Sequence, residues 1–369
     1  MGDDTELVEF KMGKIVCGRW KVTEKLGAGG CGAVYEVTDI QRKGYTAALK
    51  VESNNVEDGG VLKLEAEVLQ KLGNCKKCVR LLHSGKRGKY RQVSGCANTF
   101  IVMTLCGPDL MFLKRVKGKN KNKREEGRFS QETILRIGVQ ALYQIKALHE
   151  CGFVHRDVKP GNMVIGMGGR DSRTFFMIDY GMVRKFVTKN EKSNQLSIRK
   201  ARKNCLLRGT LRYCSINVHK RLEQGRVDDL WSLIYMLIEL LIGLPWSSLK
   251  DEEPLQKMKE TITDEKLFAR CPSELLEMAK HLRTLKYEDR PNYKLLYDHL
   301  MTGVRRLNTN FSKAYDWEDE KDLEEVIDTA LSITDGRKPK QKGPTQEQLE
   351  WKLYPSTDPK AFEQNVLGL

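Results

Sequence analysis

The hydrophobic periodicity of this chain of 369 residues changes near Cys106. Before that point, from about Val16 to Val102, short β-rich runs alternate with turns, and one helical pattern interrupts them. After it, apolar residues recur mainly at helical spacing to about residue 310. The pattern therefore predicts an α+β protein with a small β-rich lobe followed by a larger, mainly helical lobe.

Three apolar segments carry these patterns. "GGVLKLEAEVLQKLG" predicts the single helix among the strands, and "SQETILRIGVQALYQIKALHECG" predicts a long amphipathic helix with Ser130 as its N-cap. The run "LWSLIYMLIELLIGLPW" contains Glu239 and is shorter than the roughly 20 apolar residues that cross a bilayer. We therefore expect a buried helix there and no membrane partner.

A glycine-rich stretch, "LGAGGCGAV", lies between two predicted strands. Gly27, Gly29, Gly32 and Val34 form the pattern G-x-G-x-x-G-x-V. Glycines allow backbone amides to approach phosphate oxygens without interference from side chains. The position between strands argues against a dinucleotide-binding fold, in which such a loop opens a helix. Taken alone, the stretch fits a phosphate-binding loop or a plain glycine-rich hairpin equally well.

Two charged residues follow the glycine-rich stretch. Lys50 lies in the predicted strand "YTAALKVES", and Glu65 lies on the predicted helix. A lysine on a strand after such a loop pairs with nucleotide phosphates when a carboxylate holds it in place. The alternative is a surface lysine and a solvent-facing glutamate.

The segment "VHRDVKPGN" groups several polar residues around a proline. Asp157 is suited to orient a hydroxyl and accept its proton, Lys159 to neutralise charge on a phosphoryl group, and Asn162 to bind a metal ion. Asp179 in "FMIDYGM" follows an apolar run and is suited to bind Mg²⁺ at nucleotide phosphates. Each element alone fits an ordinary structural role, but their shared order predicts phosphoryl transfer.

Together these motifs resemble those of protein kinases. The set is G-x-G-x-x-G-x-V, A-x-K, a helical Glu, H-R-D-x-K-x-x-N and D-[F/Y]-G, over about residues 16–310. Lys159, two positions after Asp157, resembles Ser/Thr kinases rather than tyrosine kinases. Ser215–Asn217 stands in place of the usual Ala-Pro-Glu, which is similar to the casein kinase I superfamily. "LKVES", "VLKLEAEVLQKL", "GRVDDLWSL" and "YDWE" look closest to its tau-tubulin kinase-like branch.

The resemblance implies a two-lobed protein kinase fold with extensions at both ends. The implied segments are an N-terminal extension (1–15), a kinase domain (16–310) with an N-lobe of about 16–103, a hinge of about 104–106 and a C-lobe of about 107–310, and a C-terminal extension (311–369). The last of these is expected to be partly disordered or docked on the C-lobe, and Trp317 and Trp351 favour docking of parts of it.

The resemblance also implies a reaction and its residues. The γ-phosphoryl group of ATP passes to Ser/Thr hydroxyls of protein substrates with the help of Mg²⁺. The implied catalytic residues are Asp157, Lys159 and Asn162, and the implied metal ligands are Asn162 and Asp179. The implied ATP-binding residues are Gly27, Gly29, Gly32, Val34, Ala48, Lys50, Glu65, Met103 (the gatekeeper), Leu105 (in the hinge) and Asp179. Asp229 is implied to anchor the backbone of the catalytic loop.

Two positions depart from the usual kinase pattern. Tyr180 replaces the Phe of Asp-Phe-Gly, and Arg290 lacks the Glu of Ala-Pro-Glu with which it usually pairs. Neither change removes a charged catalytic group, so we expect an active enzyme. One alternative is a kinase-fold scaffold with weak or no transfer. Another is a small-molecule kinase, which the protein-kinase-like segment "GTLRYCSINVH" disfavours.

Charge is distributed unevenly along the chain. The formal net charge is +15, and the residues from Phe311 onward hold 8 Lys/Arg and 13 Asp/Glu, which leaves +20 on the body before them. A basic body favours acidic or phosphorylated protein substrates. The resemblance implies a substrate anion site at Arg212 and Lys257. The basic residues of "IRKARKN" add to this site or are simply solvated loop charges.

The remaining features concern partners and location. We expect no nucleic-acid partner, because no recognisable binding module is present. The start "MGDDTELVEFKMGK" lacks the apolar segment of a secretory signal, and the ten cysteines show no disulfide framework. We expect a monomer in the cytoplasm, with the nucleus as a second location. Lys114–Arg128 is predicted to be a basic loop, and Ser193, Ser197 and Thr210 are candidate phosphorylation sites.

Overall fold

The structure is a computed structural model that describes residues 9–29, 32–53, 60–87, 98–119, 127–168, 171–318 and 353–369. The described residues form two compact units. The first contains the chain up to Cys106 together with Asp179–Gly181, and the second contains Gly107–Ile178 and Met182–Leu369. The first is built on a β-sheet and the second is mainly helical, which confirms the predicted α+β composition.

The first unit contains an antiparallel six-stranded sheet with the order β1-β2-β3-β4-β6-β5. Its strands are β1 (Ile15–Val16), β2 (Trp20–Gly29), β3 (Gly32–Asp39), β4 (Thr46–Ser53), β5 (Leu81–Arg87) and β6 (Asn98–Met103). Alternate residues of β3 are buried, as expected for strands with one face on a core. The core side chains include Trp20, Tyr35, Leu49, Phe100 and Val102.

The helix α1 (Val61–Leu72) is the predicted single helix of the first unit. Leu62, Val68, Leu69 and Leu72 are buried at the spacing of one helix face. Glu65 lies on the same buried face and is fully enclosed. A carboxylate in that position needs a partner, because burial of an unpaired charge is strongly unfavourable.

The second unit contains nine described helices and three small sheets. The helices are α2 (Leu110–Lys119), α3 (Gln131–Glu150), α4 (Ile216–His219), α5 (Arg226–Leu241), α6 (Glu252–Thr261), α7 (Asp264–Leu267), α8 (Ser273–Arg283), α9 (Tyr293–Arg306) and α10 (Lys360–Glu363). The sheets pair β7 (Cys106–Asp109) and β10 (Phe175–Met177) with β9 (Met163–Gly166), β8 (Phe153–Val154) with β11 (Arg184–Lys185), and β12 (Val187–Lys189) with β13 (Leu196–Ile198).

Helices α3 and α5 form the centre of the second unit. Ser130 caps α3 by accepting a hydrogen bond from the amide of Thr133 at 3.2 Å, which confirms the predicted N-cap. The apolar run assigned to a buried helix is α5, but the helix ends at Leu241, since Gly243 adopts a left-handed conformation. None of the described helices combines the length and the hydropathy needed to cross a bilayer.

The first part of the predicted basic loop is helical instead. Helix α2 continues to Lys119, so the expectation of a loop from Lys114 onward is wrong there, and residues 120–126 lie outside the described part of the chain. Asp109 accepts a hydrogen bond from the amide of Phe112 in the first turn at 2.8 Å. The ammonium of Lys114 donates to the backbone carbonyl of Glu239 at 3.0 Å. This local cap and the tertiary contact of Lys114 outweigh the loop-like composition.

Parts of the C-terminal extension pack against the second unit. Trp317 lies against Phe129 and Phe175, with ring centroids 5.2 and 6.1 Å away. The ring of Phe362 stacks on Tyr297 at 4.4 Å. Trp351, the other tryptophan expected to dock, lies outside the described residues.

Candidate active site

In the first unit, Lys50 is held by two carboxylates. Its ammonium lies 2.8 Å from Oε2 of Glu65 and 3.1 Å from Oδ1 of Asp179. Burial lowers the pKa of Lys50, but the attraction of Glu65 and Asp179 outweighs burial, so that its pKa lies above the ordinary value. The lysine is therefore a fixed cation. The alternative of a surface lysine and a solvent-facing glutamate does not hold.

The carboxylate of Asp179 is only partly engaged. Its side chain is 48% exposed, and the residue adopts a left-handed backbone conformation with φ of 63°. This conformation is uncommon for residues other than glycine, and strain of this kind clusters at functional sites. The amide of the next residue, Tyr180, donates to the second oxygen of Glu65 at 3.4 Å. Asp179 thus offers an exposed carboxylate on a fixed backbone.

The glycine-rich stretch connects β2 and β3. Gly27 pairs with Val34 and Gly29 with Gly32, while residues 30–31 lie outside the described part. A side chain at Gly32 would collide with the carbonyl of Val51, because a Cβ atom would come within 1.9 Å of that oxygen. At Gly27, by contrast, a Cβ atom would meet nothing within 4 Å. Close packing therefore requires the glycine at position 32, and open space surrounds position 27.

The residues implied to surround adenine lie at one end of β4 and β6. Ala48 pairs directly with Met103 in the sheet, and both are buried. Beyond Met103, the amide of Thr104 donates to the carbonyl of Arg80 at 3.1 Å, and the hydroxyl of Thr104 accepts from the amide of Arg80 at the same distance. Leu105 follows and is half-buried. The segment after β6 is therefore fixed to the sheet at its first residue.

In the second unit, the catalytic-loop backbone is anchored by Asp229 in the first turn of α5. Its carboxylate accepts hydrogen bonds from the amides of His155 at 2.6 Å and Arg156 at 2.8 Å, as the resemblance implied. The ring of His149 lies 2.9 Å from the same carboxylate. Burial raises the pKa of Asp229, but the bond to His149 and the nearby histidines outweigh burial and lower it. Sequence reasoning missed His149, which no motif marks.

Asp157 lies at the centre of a small hydrogen-bond network. Its Oδ1 accepts from the amide of Thr210 at 2.9 Å and from the hydroxyl of Thr210 at 2.7 Å. Its Oδ2 accepts from the ammonium of Lys159 at 2.6 Å. The side-chain amide of Asn162 donates to the backbone carbonyl of Asp157 at 2.9 Å. The three implied catalytic residues are thus brought together.

Thr210 is the residue of this network whose contact with Asp157 sequence reasoning missed. The sequence marked it as a candidate phosphorylation site, whereas its hydroxyl is the closest contact of the Asp157 carboxylate on Oδ1. The only sequence signal for this position is the Gly-Thr pair in "RGTLRYCSINVH". A phosphate on Thr210 would place like charges side by side and break this contact.

The segment that replaces Ala-Pro-Glu is bound by Asp228. The hydroxyl of Ser215 donates to Asp228 at 2.6 Å and the side-chain amide of Asn217 donates at 3.1 Å, both to Oδ1. Oδ2 accepts from the amide of Gly225 at 2.7 Å. The first turn of α5 therefore holds two structural segments through adjacent aspartates.

Arg290, whose usual partner is absent, pairs elsewhere. Its guanidinium donates to the carboxylate of Glu150 and to the carbonyl of Gln364, both at 2.8 Å. Glu150 ends α3, and Gln364 lies in the C-terminal extension. The C-terminal extension thus supplies part of what this arginine binds.

The two residues of the implied anion site differ in their surroundings. Arg212 donates to the carbonyl of Ser247 at 2.8 Å and lies 3.7 Å from the carboxylate of Glu239. Lys257 is exposed on α6. Arg212 is therefore already partly neutralised, and Lys257 is free to the solvent.

Known proteins similar to this chain are named as kinases, which agrees with the geometry of these residues. A model of the protein kinase domain matches residues 20–301. A putative serine/threonine-protein kinase of Caenorhabditis elegans is 37% identical over 322 residues, which cover 87% of each chain. A putative casein kinase I of the same species is 30% identical over 83% of this chain and 85% of the relative. A third protein of that species, named as an inactive tau-tubulin kinase, is 34% identical over 65% of this chain and 82% of the relative. The chain therefore belongs to the protein kinase family, among the Ser/Thr kinases similar to casein kinase I and the tau-tubulin kinases.

Proposed function

We propose that this chain is an active Ser/Thr protein kinase that transfers the γ-phosphoryl group of ATP to acidic or phosphorylated protein substrates. The observation that carries the proposal is that every charged catalytic group is present and engaged within its own unit. Lys50 contacts Glu65 and Asp179 in the first, and Asp157 contacts Lys159 in the second. Activity is the point at issue, because one relative is named as an inactive kinase.

ATP and Mg²⁺ are the proposed cofactors. When bound, ATP supplies the phosphoryl group, and the divalent ion neutralises charge on its phosphates. Lys50 would hold phosphate oxygens, and Asp179 with Asn162 would hold the ion. The chemistry of these donors fits, because Mg²⁺ prefers carboxylate and amide oxygens. The space at Gly27 also supports a loop over phosphates, since among the described residues no atom other than its chain neighbours lies within 4 Å of where a Cβ would stand.

Asp157 is the proposed group that accepts the proton of the substrate hydroxyl. Its carboxylate is oriented by Thr210 and Lys159, so that its position is set before a substrate arrives. Lys159 would also neutralise charge that develops on the transferred group.

A basic cavity supports the proposed preference for acidic substrates. It has a volume of about 500 Å³ and lies at the β12–β13 hairpin, lined by Lys185, Val187, Thr188, Lys189, Glu191, Asn194 and Arg199. Its three basic residues are exposed and form no ion pair with any described residue. Arg184 and Arg202 nearby both pair with Glu223. Unpaired cations around a cavity attract carboxylates or phosphates.

The proposal extends to location and assembly. We propose a monomer in the cytoplasm, with the nucleus as a second location. The eight cysteines in the described part of the chain form no disulfide, which supports a reducing compartment.

The decisive experiment measures Mg²⁺-ATP-dependent phosphate transfer to casein, beside Asp157→Asn and Lys50→Met. We expect the wild type to transfer phosphate and Asp157→Asn to lose about 10²–10⁴-fold in kcat, because it lacks the proton acceptor. Nucleotide-induced stabilisation should persist in Asp157→Asn and vanish in Lys50→Met. A folded wild type that is stabilised by ATP but transfers nothing would favour the scaffold.

The substrate class is tested with one peptide in acidic and neutral versions. Lys189→Gln and Arg199→Gln should each raise KM for the acidic version several-fold and leave the neutral version unchanged. Lys192→Gln is the matched control, since it removes an exposed charge from the same hairpin without lining the cavity. Equal effects of Lys189→Gln and Lys192→Gln would refute the cavity as a docking site.

A further inference from the structure

Helix α6 buries one lysine beneath the segment that follows Thr210. Lys259 is 3% exposed, and its ammonium donates to the carbonyls of Leu211 at 2.7 Å and Cys214 at 2.6 Å. No carboxylate forms an ion pair with it among the described residues. A buried ammonium without a carboxylate is uncommon, because such charges are normally paired. Carbonyl oxygens therefore take the place of the counter-ion.

The surroundings of this ammonium are aromatic. It lies 5.2 Å from the ring of Tyr235 and 5.3 Å from the ring of Trp246, which is within range of a cation–π attraction. The indole nitrogen of Trp246 donates to the carbonyl of Arg212 at 2.8 Å. Two buried side chains thus bind three of the carbonyls in the turn Leu211–Cys214.

The same turn is tied to the catalytic carboxylate at its start. Thr210 precedes Leu211 and donates to Asp157 through both its amide and its hydroxyl. Leu211 directly follows Thr210, so a shift of the Leu211 backbone is passed to Thr210 through the peptide bond between them. Arg212, implied to bind substrate anions, lies within the turn.

We propose that Lys259 is a positioning residue for protein phosphorylation. It holds the turn Leu211–Cys214 from below, and through Thr210 it sets the orientation of the Asp157 carboxylate. Substrate contact is left to other residues, since Lys259 itself is enclosed. The inference rests on the proposed function, because it concerns the orientation of Asp157 toward the hydroxyl of a protein substrate.

The first test is Lys259→Met, which keeps an unbranched side chain one atom shorter and removes the donors. We expect kcat for a peptide substrate to fall about 10–100-fold, as loss of orientation commonly costs. KM for ATP and nucleotide-induced stabilisation should stay unchanged, because Lys50 is held by Glu65 and Asp179 within the first unit. Lys259→Arg should recover part of the lost kcat. Lys266→Met, an exposed lysine on α7, is the control and should behave as wild type.

A second measurement keeps the test independent of catalysis. Hydrogen–deuterium exchange should be faster across residues 208–216 and the catalytic loop in Lys259→Met than in wild type. Unchanged exchange there would overturn the inference whether or not the protein transfers phosphate. Faster exchange with unchanged kcat would also overturn the inference, since movement of the turn would then not affect the orientation of Asp157.

A second variant tests the inference if Lys259→Met folds poorly. Trp246→Phe removes only the indole donor to Arg212, and we expect a smaller loss of kcat with the fold retained. Wild-type kcat in Trp246→Phe would count against control of Asp157 by this turn. An inactive wild type would refute the proposed function, and the exchange measurement would then decide the inference.

Discussion

At the scale of single residues, the important side chains are defined by partners that are distant along the chain. Lys50 meets Asp179 across 129 positions, and Asp157 meets Thr210 across 53. Such contacts fix side chains in a state that their own neighbours along the chain do not impose. Substitution of one partner should therefore affect the other more than it affects local structure.

Glu65→Gln tests this for Lys50. The substitution keeps the size of the buried side chain and removes the charge that lies 2.8 Å from the ammonium. We expect KM for ATP to rise and kcat to fall, each about tenfold or more, because Lys50 then turns toward Asp179 alone. Steady-state kinetics with varied ATP measure both. Glu67→Gln, on the same helix with a side chain that is 45% exposed and pairs with Lys71, is the control and should leave both constants unchanged.

His219 is expected to make the stability of the fold depend on pH. It is buried on α4, with Lys259 at 3.3 Å, Glu252 at 3.6 Å and Cys214 at 3.4 Å, and Arg221 pairs with the same Glu252. Burial and then the charge of Lys259 lower the pKa of His219. In the unfolded state, His219 is protonated below its ordinary pKa of about 6.5, whereas in the folded state it stays neutral there. The free energy of unfolding therefore falls by up to about 1.4 kcal/mol per pH unit below that value.

The corresponding variant is His219→Gln. Its free energy of unfolding should fall less steeply than that of wild type between about pH 7 and pH 5, in urea titrations at each pH. His149, which is also buried, is present in both proteins and cancels in the comparison. Parallel curves would show that His219 does not contribute to the acid sensitivity.

At the scale of elements, helix α1 is positioned by a residue of strand β4. Both carboxylate oxygens of Glu52 accept from the amide of Leu62, at 3.1 and 3.2 Å, in the first turn of the helix. Gly60 lies before the helix with φ of 77°, and a Cβ there would come within 2.1 Å of Glu52. The close approach of Glu52 thus requires a glycine, and it sets the placement of the helix that carries Glu65.

Glu52→Ala should therefore act on both stability and nucleotide binding. Loss of a cap costs about 0.5–2 kcal/mol, and movement of α1 weakens the pair between Glu65 and Lys50. Chemical denaturation and nucleotide-induced stabilisation measure the two effects. A loss of stability with full nucleotide binding would show that the cap does not position Glu65.

At the scale of the whole molecule, the C-terminal segment 353–369 is part of the second unit. Glu150 accepts from Arg290 at 2.8 Å and from the amide of Val366 at 2.6 Å. Leu367 and Leu369 pack against a cluster of Val154, Phe186 and Val187. Val154 lies just before His155 of the catalytic loop, and Val187 is the first residue of β12. The segment therefore contacts both the end of α3 and a residue next to the catalytic loop that carries Asp157.

Phe362→Ala tests the contribution of this segment. Phe362 is 1% exposed, and truncation of a buried aromatic side chain costs about 3–5 kcal/mol. We expect a lower melting temperature by calorimetry and a partial loss of kcat. Val366→Ala is the matched control, since that side chain is 71% exposed in the same segment. A melting temperature equal to wild type would show that the segment does not stabilise the unit.

Local spacing in the sequence determined the α+β composition, the helix α1 and the capped start of α3, because periodicity and capping depend on neighbouring residues. It also determined the family, since the kinase motifs are short and ordered. The tertiary structure alone decided that α2 extends to Lys119, that Thr210 binds Asp157, and that Glu150 replaces the missing partner of Arg290. It likewise decided the burial of Lys259, which resembles its exposed neighbour Lys257 in sequence. These outcomes depend on contacts between residues dozens of positions apart, and no local pattern encodes which of two similar side chains the packing will enclose.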